Sequence, residues 1–415
     1  MKTTLLLVGL CHLLGLGITL VAADAFNDDH RLITDLFNSS TYVTDVFPRK
    51  NNSHTMRVDF GLAAVGVDLD ELNKILHIHA WLKMVWKDPR LAWDPAKYGG
   101  VKVLRASDRR VWKPDIELYN SAEDSRLFPQ DNHIHVVIYS DGTVLWIPTR
   151  ELQAKCAMDL RRFPFDSHTC ALKFGSWTFD GFKIDLDFYE GRRAIDMNDF
   201  VQHSEWDVTK TLGEKSVRYY PCCTEPYPSL QFNITFKRRA TYYSNIFIGP
   251  AVVMAMLIPL TFLMPSESGE KVTLGGAIMI CLILMVLLLE NYLPSALSTA
   301  SLIAMYYTSS FIMMGVSLAL SALTSNLSRW QSQPPAALSQ IMIGCFGRIL
   351  CVNPTTHSSV KEHDDPGNKG QADEVRMVEP RKVVNEWRVI SIVMDRLLAV
   401  VFLVAVVILT IAIFA

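Results

Sequence analysis

Two hydrophobic patterns divide this chain. Between residues 26 and 240, apolar and polar positions alternate in short runs such as HIHVVIY and LQFNITFK. Turn signals such as Ser140-Asp141-Gly142 and Asp180-Gly181 separate the runs. A period of two marks half-buried strands, and many short strands between turns make a β-sandwich. Ahead of them, Asp28 to Phe37 reads as a helix. After Tyr243 the apolar positions become continuous, over Ser244–Met264, Val272–Leu289, Ala296–Leu323 and Val389–Ala415. A helix across a hydrocarbon core needs ~20 such residues, and unbroken apolarity favours helices over barrel strands. The prediction is an all-β, immunoglobulin-like sandwich with an N-terminal helix, followed by a four-helix transmembrane bundle.

The first residues, MKTTLLLVGLCHLLGLGITLVAADA, carry one lysine, an apolar core and then small residues. That pattern is a secretory signal peptide over residues 1–25, cut after Ala23 or Ala25; the competing reading is a membrane anchor. The expected division is then an extracellular domain at 26–240 and transmembrane helices one to three within 241–324. The second helix covers about 271–291, a short cytosolic loop covers 325–386, and a fourth helix covers 387–415. Four crossings of the plasma membrane leave both termini outside. Basic residues between Arg329 and Arg388 agree with that orientation, while Lys237, Arg238 and Arg239 oppose it and so call for local partners. The sequons at Asn38, Asn51 and Asn233 fall outside, and the one at Asn326 inside. Within the loop, 331–350 reads as an amphipathic interfacial helix with Cys345 and Cys351 as candidate palmitate sites. Residues 355–372 read as disordered, and 373–388 as the start of a helix continuous with the fourth span.

Charge and chemistry narrow the function. With 40 basic and 42 acidic residues the net charge is -2, which gives no nucleic-acid footprint. Cys156 and Cys170 bracket thirteen residues containing Phe163-Pro164-Phe165-Asp166. They stand too far from other ligand-type residues for a metal site, so a disulfide is the better reading. Cys222 and Cys223 are adjacent, with Cα atoms ~3.8 Å apart, so a bond between them would be strained and would stiffen a loop tip. No Ser/His/Asp, Cys-His or zinc constellation stands out, so no enzyme, cofactor or metal is expected. Tryptophans at 81, 86, 93, 112, 146, 177 and 206 read mostly as core.

Five motifs in order carry a resemblance over nearly the whole mature chain: WKPDIELYN, CAMDLRRFPFDSHTC, GSWTFDG, YYPCCTEPYP and SGEKVTLG. They resemble the Cys-loop pentameric ligand-gated ion channels, and within them the nicotinic acetylcholine receptor subunits. The resemblance implies an agonist site between subunits. Its principal face would carry Tyr119, Trp177, Tyr220 and Tyr227 with a Cys222–Cys223 disulfide. Its complementary face would carry Trp81, Val137, Leu145 and Ile147. Ring faces attract an ammonium by ~0.5–2 kcal/mol, so the implied ligand is small and cationic. One chain holds both sets, which permits a homopentamer and leaves a heteropentamer open. Ser229 departs from the pattern, standing where many members place an aspartate that partners Lys173.

The same resemblance assigns the rest of the machine. The Cys156–Cys170 loop would rest on the membrane domain, with Phe163, Pro164 and Asp166 pressing near Leu293-Pro294. Glu71 and Arg238 match a charge pair at that junction. Glu270, Thr273, Ala277, Ile280, Leu284, Leu287 and Asn291 follow steps of three and four along one face of the second helix. In a pentamer they would become rings, with Glu270 favouring cations and Ile280 and Leu284 forming a hydrophobic gate. The implied function is a cation-selective channel for monovalent ions, set among membrane lipids, opened by an acetylcholine-like ligand and compatible with a postsynaptic place. Two alternatives stand beside it. One is the same fold gated by another amine, a proton or a hydrophobic amphiphile. The other is a non-conducting or obligate-heteromer subunit, suggested by the apolar stripe above Thr273.

Overall fold

The computed structural model describes residues 28–38, 40–49, 54–123, 134–221, 223–265, 269–293, 300–350, 352 and 374–414, with backbone alone at 374–385. The signal segment, Asn51, Cys222, Cys351 and the 355–372 stretch therefore lie outside the described residues. The chain forms two compact units, one of residues up to Met158 with Ser167–Arg238, the other of Asp159–Asp166 with Arg239–Ala415.

The first unit opens with helix α1 over 28–36. Leu32 is fully buried on it, and Ile33, Leu36 and Phe37 pack against the same core. These positions form one apolar stripe at helical spacing, which is why the segment docks as a helix. The strands are β1 Met56–Asp70, β2 Ile75–Lys87, β3 Val103–Ser107, β4 Ile116–Leu118, β5 His135–Tyr139 and β6 Thr143–Trp146. They continue with β7 Thr149–Lys155, β8 Ser167–Ser176, β9 Ile184–Phe188, β10 Trp206–Arg218 and β11 Tyr227–Arg238. The larger sheet runs β3-β5-β6-β2-β1-β9, with β7 also on β2; the smaller runs β10-β11-β8-β4.

Strand β2 shows how the alternation works. Leu76, Ile78, Ala80, Leu82, Met84 and Trp86 are all buried, and the intervening Trp81, Lys83 and Val85 face the other way. Between the sheets, Phe60 of β1 meets Phe174 of β8 at 4.7 Å, and Phe188 of β9 meets Phe232 of β11 at 5.6 Å. Burying each ring is worth ~1.5–3 kcal/mol. Trp86, Trp93, Trp112, Trp146 and Trp206 are core, as expected, whereas Trp177 is 68% exposed. A disulfide joins Cys156 after β7 to Cys170 in β8, with Cα atoms 5.1 Å apart, well inside the range that such a bond spans without moving the backbone.

The second unit holds α2 Thr241–Leu263, α3 Glu270–Glu290, α4 Leu302–Leu327, α5 Ala336–Ile349 and α6 Glu374–Phe414. Helices α2, α3, α4 and the Glu386–Phe414 part of α6 are long and apolar enough to cross a membrane. Polar side chains stitch them: Tyr307 donates to Phe247 O at 2.8 Å, and the hydroxyls of Thr261 and Ser317 pair at 3.0 Å. At Gly275 a Cβ would meet the ends of the Leu318 and Met314 side chains, which would have to shift, so glycine favours the close approach of α3 and α4 there. Two expected boundaries shift. Helix α4 begins at Leu302, after an extended Ser301, instead of at Ala296. The interfacial helix begins at Ala336, because Pro335 holds the chain extended before it. The helix expected from 373 is continuous with the fourth span, as α6.

Candidate functional site

Three neighbouring strands of the smaller sheet gather the first set of aromatic rings. Tyr119 follows β4, Trp177 follows β8, and Tyr227 opens β11. Asp115 fixes the corner: its carbonyl accepts from Trp177 N at 3.1 Å, and its carboxylate accepts from Thr178 N at 2.7 Å and Ser176 Oγ at 2.5 Å. Tyr119 donates to Ser176 O at 2.7 Å. A side chain at Gly175 would collide with the Tyr119 ring, so this strand must carry glycine there. The Tyr119 and Trp177 rings meet edge to face at 6.2 Å, and those of Tyr220 and Tyr227 at 5.4 Å. Burial, then the nearby Tyr220, Asp115 and Tyr227, push the Tyr119 phenol up to about 12, so the ring stays neutral.

Two of the rings face outward: Trp177 is 68% and Tyr220 42% exposed. Lys173 Nζ stands 5.6 Å from the Tyr119 ring, and burial followed by Arg218 pulls its ammonium below the usual lysine range. Ser229 is buried, with its hydroxyl 2.9 Å from that of Ser216. The proposed Cys222–Cys223 bond lies outside the described residues with Cys222. Sequence reasoning missed Asp115 and Gly175 as site builders, although both sit within or beside the quoted motifs.

The second set lies on the larger sheet. Trp81, Lys83 and Val85 share the outward side of β2. Val85 pairs in register with Leu145 of β6, and Leu145 with Val137 of β5. Ile147, just past β6, is 37% exposed. Lys83 pairs with Asp196 at 2.7 Å and stands 5.8 Å from the Tyr189 ring, two neighbours that sequence reading did not supply. Of the sequons, Asn38 is exposed, while Asn233 is half-buried in β11 and accepts from Gln231 Nε2 at 2.9 Å.

The charge pair forms within the first unit. Arg238 Nη1 lies 2.8 Å from Glu71 Oε1, also binds Glu205, and its guanidinium sits 4.1 Å from the Trp206 ring. That supplies local partners for Arg238, one of the three basic residues that called for them, and Glu205 and Trp206 are additions. In the second unit, Phe163 is 4% exposed and meets Tyr243 at 5.2 Å and Phe247 at 6.3 Å. Leu302 N donates to Arg161 O at 2.9 Å. The expected contact near Leu293-Pro294 falls partly outside the described residues. The rings that Phe163 meets belong to α2, Leu293 only borders the same cluster, and Pro294 lies outside the described residues. Pro164 and Asp166 are buried, and Phe165 at the tip is exposed.

Helix α3 has two faces. Lys271, Gly275, Ile278, Leu282 and Leu289 are buried against the bundle. Glu270, Thr273, Ala277, Ile280, Leu284, Leu287 and Asn291 are all exposed, on the opposite side. Ile280, Leu284 and Leu287 are 61%, 53% and 54% open. Among the described residues no group of three or more His, Cys, Asp or Glu could hold a metal ion.

Comparison with known proteins meets this geometry. Residues 29–240 match the neurotransmitter-gated ion-channel ligand binding domain, and residues 247–385 the corresponding transmembrane region. The acetylcholine receptor subunit beta-like 1 of Drosophila melanogaster is 36% identical over 328 residues, covering 79% of this chain. The chain spans 61% of that protein's length, less than two thirds. Human neuronal acetylcholine receptor subunit alpha-10 is 35% identical, covering 82% of this chain and 77% of its own. Human subunit alpha-5 is 30% identical over 428 residues, covering 96% of this chain and 89% of its own. These are receptors rather than enzymes, and on the two matched regions the chain belongs to the neurotransmitter-gated ion-channel family, as an acetylcholine receptor-like member.

Proposed function

We propose that this chain is a subunit of a pentameric, cation-selective plasma-membrane channel, opened by a small cationic, acetylcholine-like ligand. The observation that carries the ligand reading is the convergence of Tyr119, Trp177, Tyr220 and Tyr227, with Trp177 left open. Rings around one desolvated ammonium attract it through their negative faces. The Trp81, Val137, Leu145 and Ile147 set lies on the other sheet, so a site using both sets takes one from each of two neighbouring subunits. Such a head-to-tail interface closes into a ring. The open face of α3 then lines the axis, with Glu270 attracting cations and Ile280 and Leu284 excluding water until the helices move.

Voltage-clamp recording from cells expressing only this chain, perfused with acetylcholine, other small amines and acid, tests the reading. An inward current whose reversal potential follows external cations supports it, and Glu270→Ala should weaken that dependence. Silence from a chain shown to reach the surface overturns the homomeric form. The apolar run from Ala277 to Leu287 favours a second reading, a subunit that conducts only beside a partner subunit with a more polar pore face. Current restored by co-expression with an acetylcholine receptor-like subunit would decide for it.

A further inference from the structure

Glu270 and Lys271 are neighbours on α3 whose side chains part company. Glu270 is exposed, and Lys271 is wholly buried. The Lys271 ammonium lies 2.6 Å from Asp395 Oδ1 on α6 and 3.2 Å from Thr324 Oγ1 on α4, with the Phe262 ring at 5.7 Å. Asp395 is 3% exposed. Ser391, one turn earlier on α6, donates to Thr324 O at 2.8 Å and holds the same helices together. A lone ammonium in such a place is strongly disfavoured, and a carboxylate in direct contact offsets the penalty.

The pair has an electrical consequence. Glu270 and an uncompensated Lys271 on the same turn would sum to zero charge in every subunit. A ring of such turns would favour ions of neither sign. We propose that Asp395 is a positioning residue for ion-charge selectivity: it holds Lys271 inside the bundle and neutralises it, so that Glu270 alone sets the charge of the pore mouth. The proposal rests on the pore reading of Glu270 given above. It assigns part of the selectivity to the fourth span, on a residue that never meets the ion.

Reversal potentials under salt dilution test this, because they do not depend on how many channels reach the surface. The full chain carrying Leu284→Ser is the parent, since a polar residue in the apolar constriction wets the pore and gives current without an agonist. Asp395→Asn in that parent should lower the cation-to-anion permeability ratio by about tenfold, because the lysine, no longer held in the bundle, keeps its charge by turning its long stem out to water beside Glu270, and one such charge acts on this scale at an effective dielectric of about 20. Asp395→Glu should restore it. Lys271→Met should leave the ratio within about twofold, because the Asp395 left alone in apolar surroundings takes up a proton. The paired Lys271→Met/Asp395→Leu variant should do the same.

An unchanged ratio in Asp395→Asn overturns the proposal, as does a steep rise in Lys271→Met, which would mean that the lysine charge was never neutralised. If Asp395→Asn fails to reach the surface, the two Lys271 variants decide alone. The underlying pore reading has its own arm. A surface-expressed parent without current both alone and beside an acetylcholine receptor-like subunit, or a Glu270→Gln ratio equal to the parent's, overturns that reading and the proposal with it. A shift in Glu270→Gln without one in Asp395→Asn sinks the proposal alone.

Discussion

Arg238 Nη1 lies 2.8 Å from Glu71 Oε1, although 167 positions separate the two residues. The arginine side chain is 2% exposed, is shared with Glu205, and lies against the Trp206 ring. It therefore ties the β1–β2 turn to the end of β11 and the start of β10. Removing the cation strands two partly buried carboxylates beside each other. Arg238→Gln should destabilise the protein by about 3 kcal/mol, the range for breaking a buried pair. Thermal unfolding of the detergent-solubilised chain measures it. Arg238→Lys should recover only part, because an ammonium lacks the planar fork that serves two carboxylates and stacks on a ring.

Trp177 has a different signature, because it is open. Trp177→Ala should leave stability and surface assembly nearly unchanged, since little burial is lost. Sensitivity to a cationic agonist should fall at least about tenfold, as cation–π attraction from the best ring type is removed. Trp177→Phe should lie between. Dose–response curves for acetylcholine check both, and an unchanged curve for Trp177→Ala would remove this ring from the ligand site.

Much of this was legible in the sequence for a physical reason. Period-two alternation fixes which side of β2 faces the core, so Trp81 and Trp86 could be separated only by counting register. The stripe from Glu270 to Asn291 could be read from steps of three and four, and it is open on α3. Partners distant in sequence were not legible. Nothing in the local pattern links Asp196 to Lys83 or Asp395 to Lys271, 124 positions apart. Such pairs exist only once the chain folds, and burial gives them their weight. The start of α4 was misplaced because apolarity alone runs past the extended Ser301.

Asp196 gives a pH prediction. Its bond from Lys83 holds the carboxyl below the usual aspartate range, with Asn198 N adding to the effect against burial. A depressed folded-state value means that the stabilisation is present above the unfolded value of about 3.9 and is lost as pH falls through the lower folded value. Backbone bonds from Asp196 N to Leu62 O and from Ala64 N to Asp196 O, both 2.9 Å, persist meanwhile. Hydrogen exchange over 189–200, corrected for intrinsic rates, should therefore speed up between pH 5 and pH 3 without global unfolding. In Lys83→Met that dependence should flatten, and an equally steep one would show that the ion pair is not its source.

Phe163 joins the disulfide loop to the helices. Its ends, Cys156 and Cys170, belong to the sandwich unit, and its 159–166 middle belongs to the helical one. The Phe163 ring is packed against Tyr243 and Phe247 at the start of α2. Truncation to alanine leaves a void there and should cost about 3–5 kcal/mol. The proposed aromatic ligand site draws no residue from this loop, so on that proposal binding of labelled acetylcholine should stay within about twofold, a shift below ~0.5 kcal/mol. Agonist-evoked current per surface receptor should fall steeply if this ring contact is what passes ligand binding from the loop to the start of α2. Phe163→Leu, which refills most of the void without the ring geometry, should restore stability more fully than current. If binding and current fell together in both variants, the loop would be a fold staple alone, and the link from ligand to pore would have to run elsewhere.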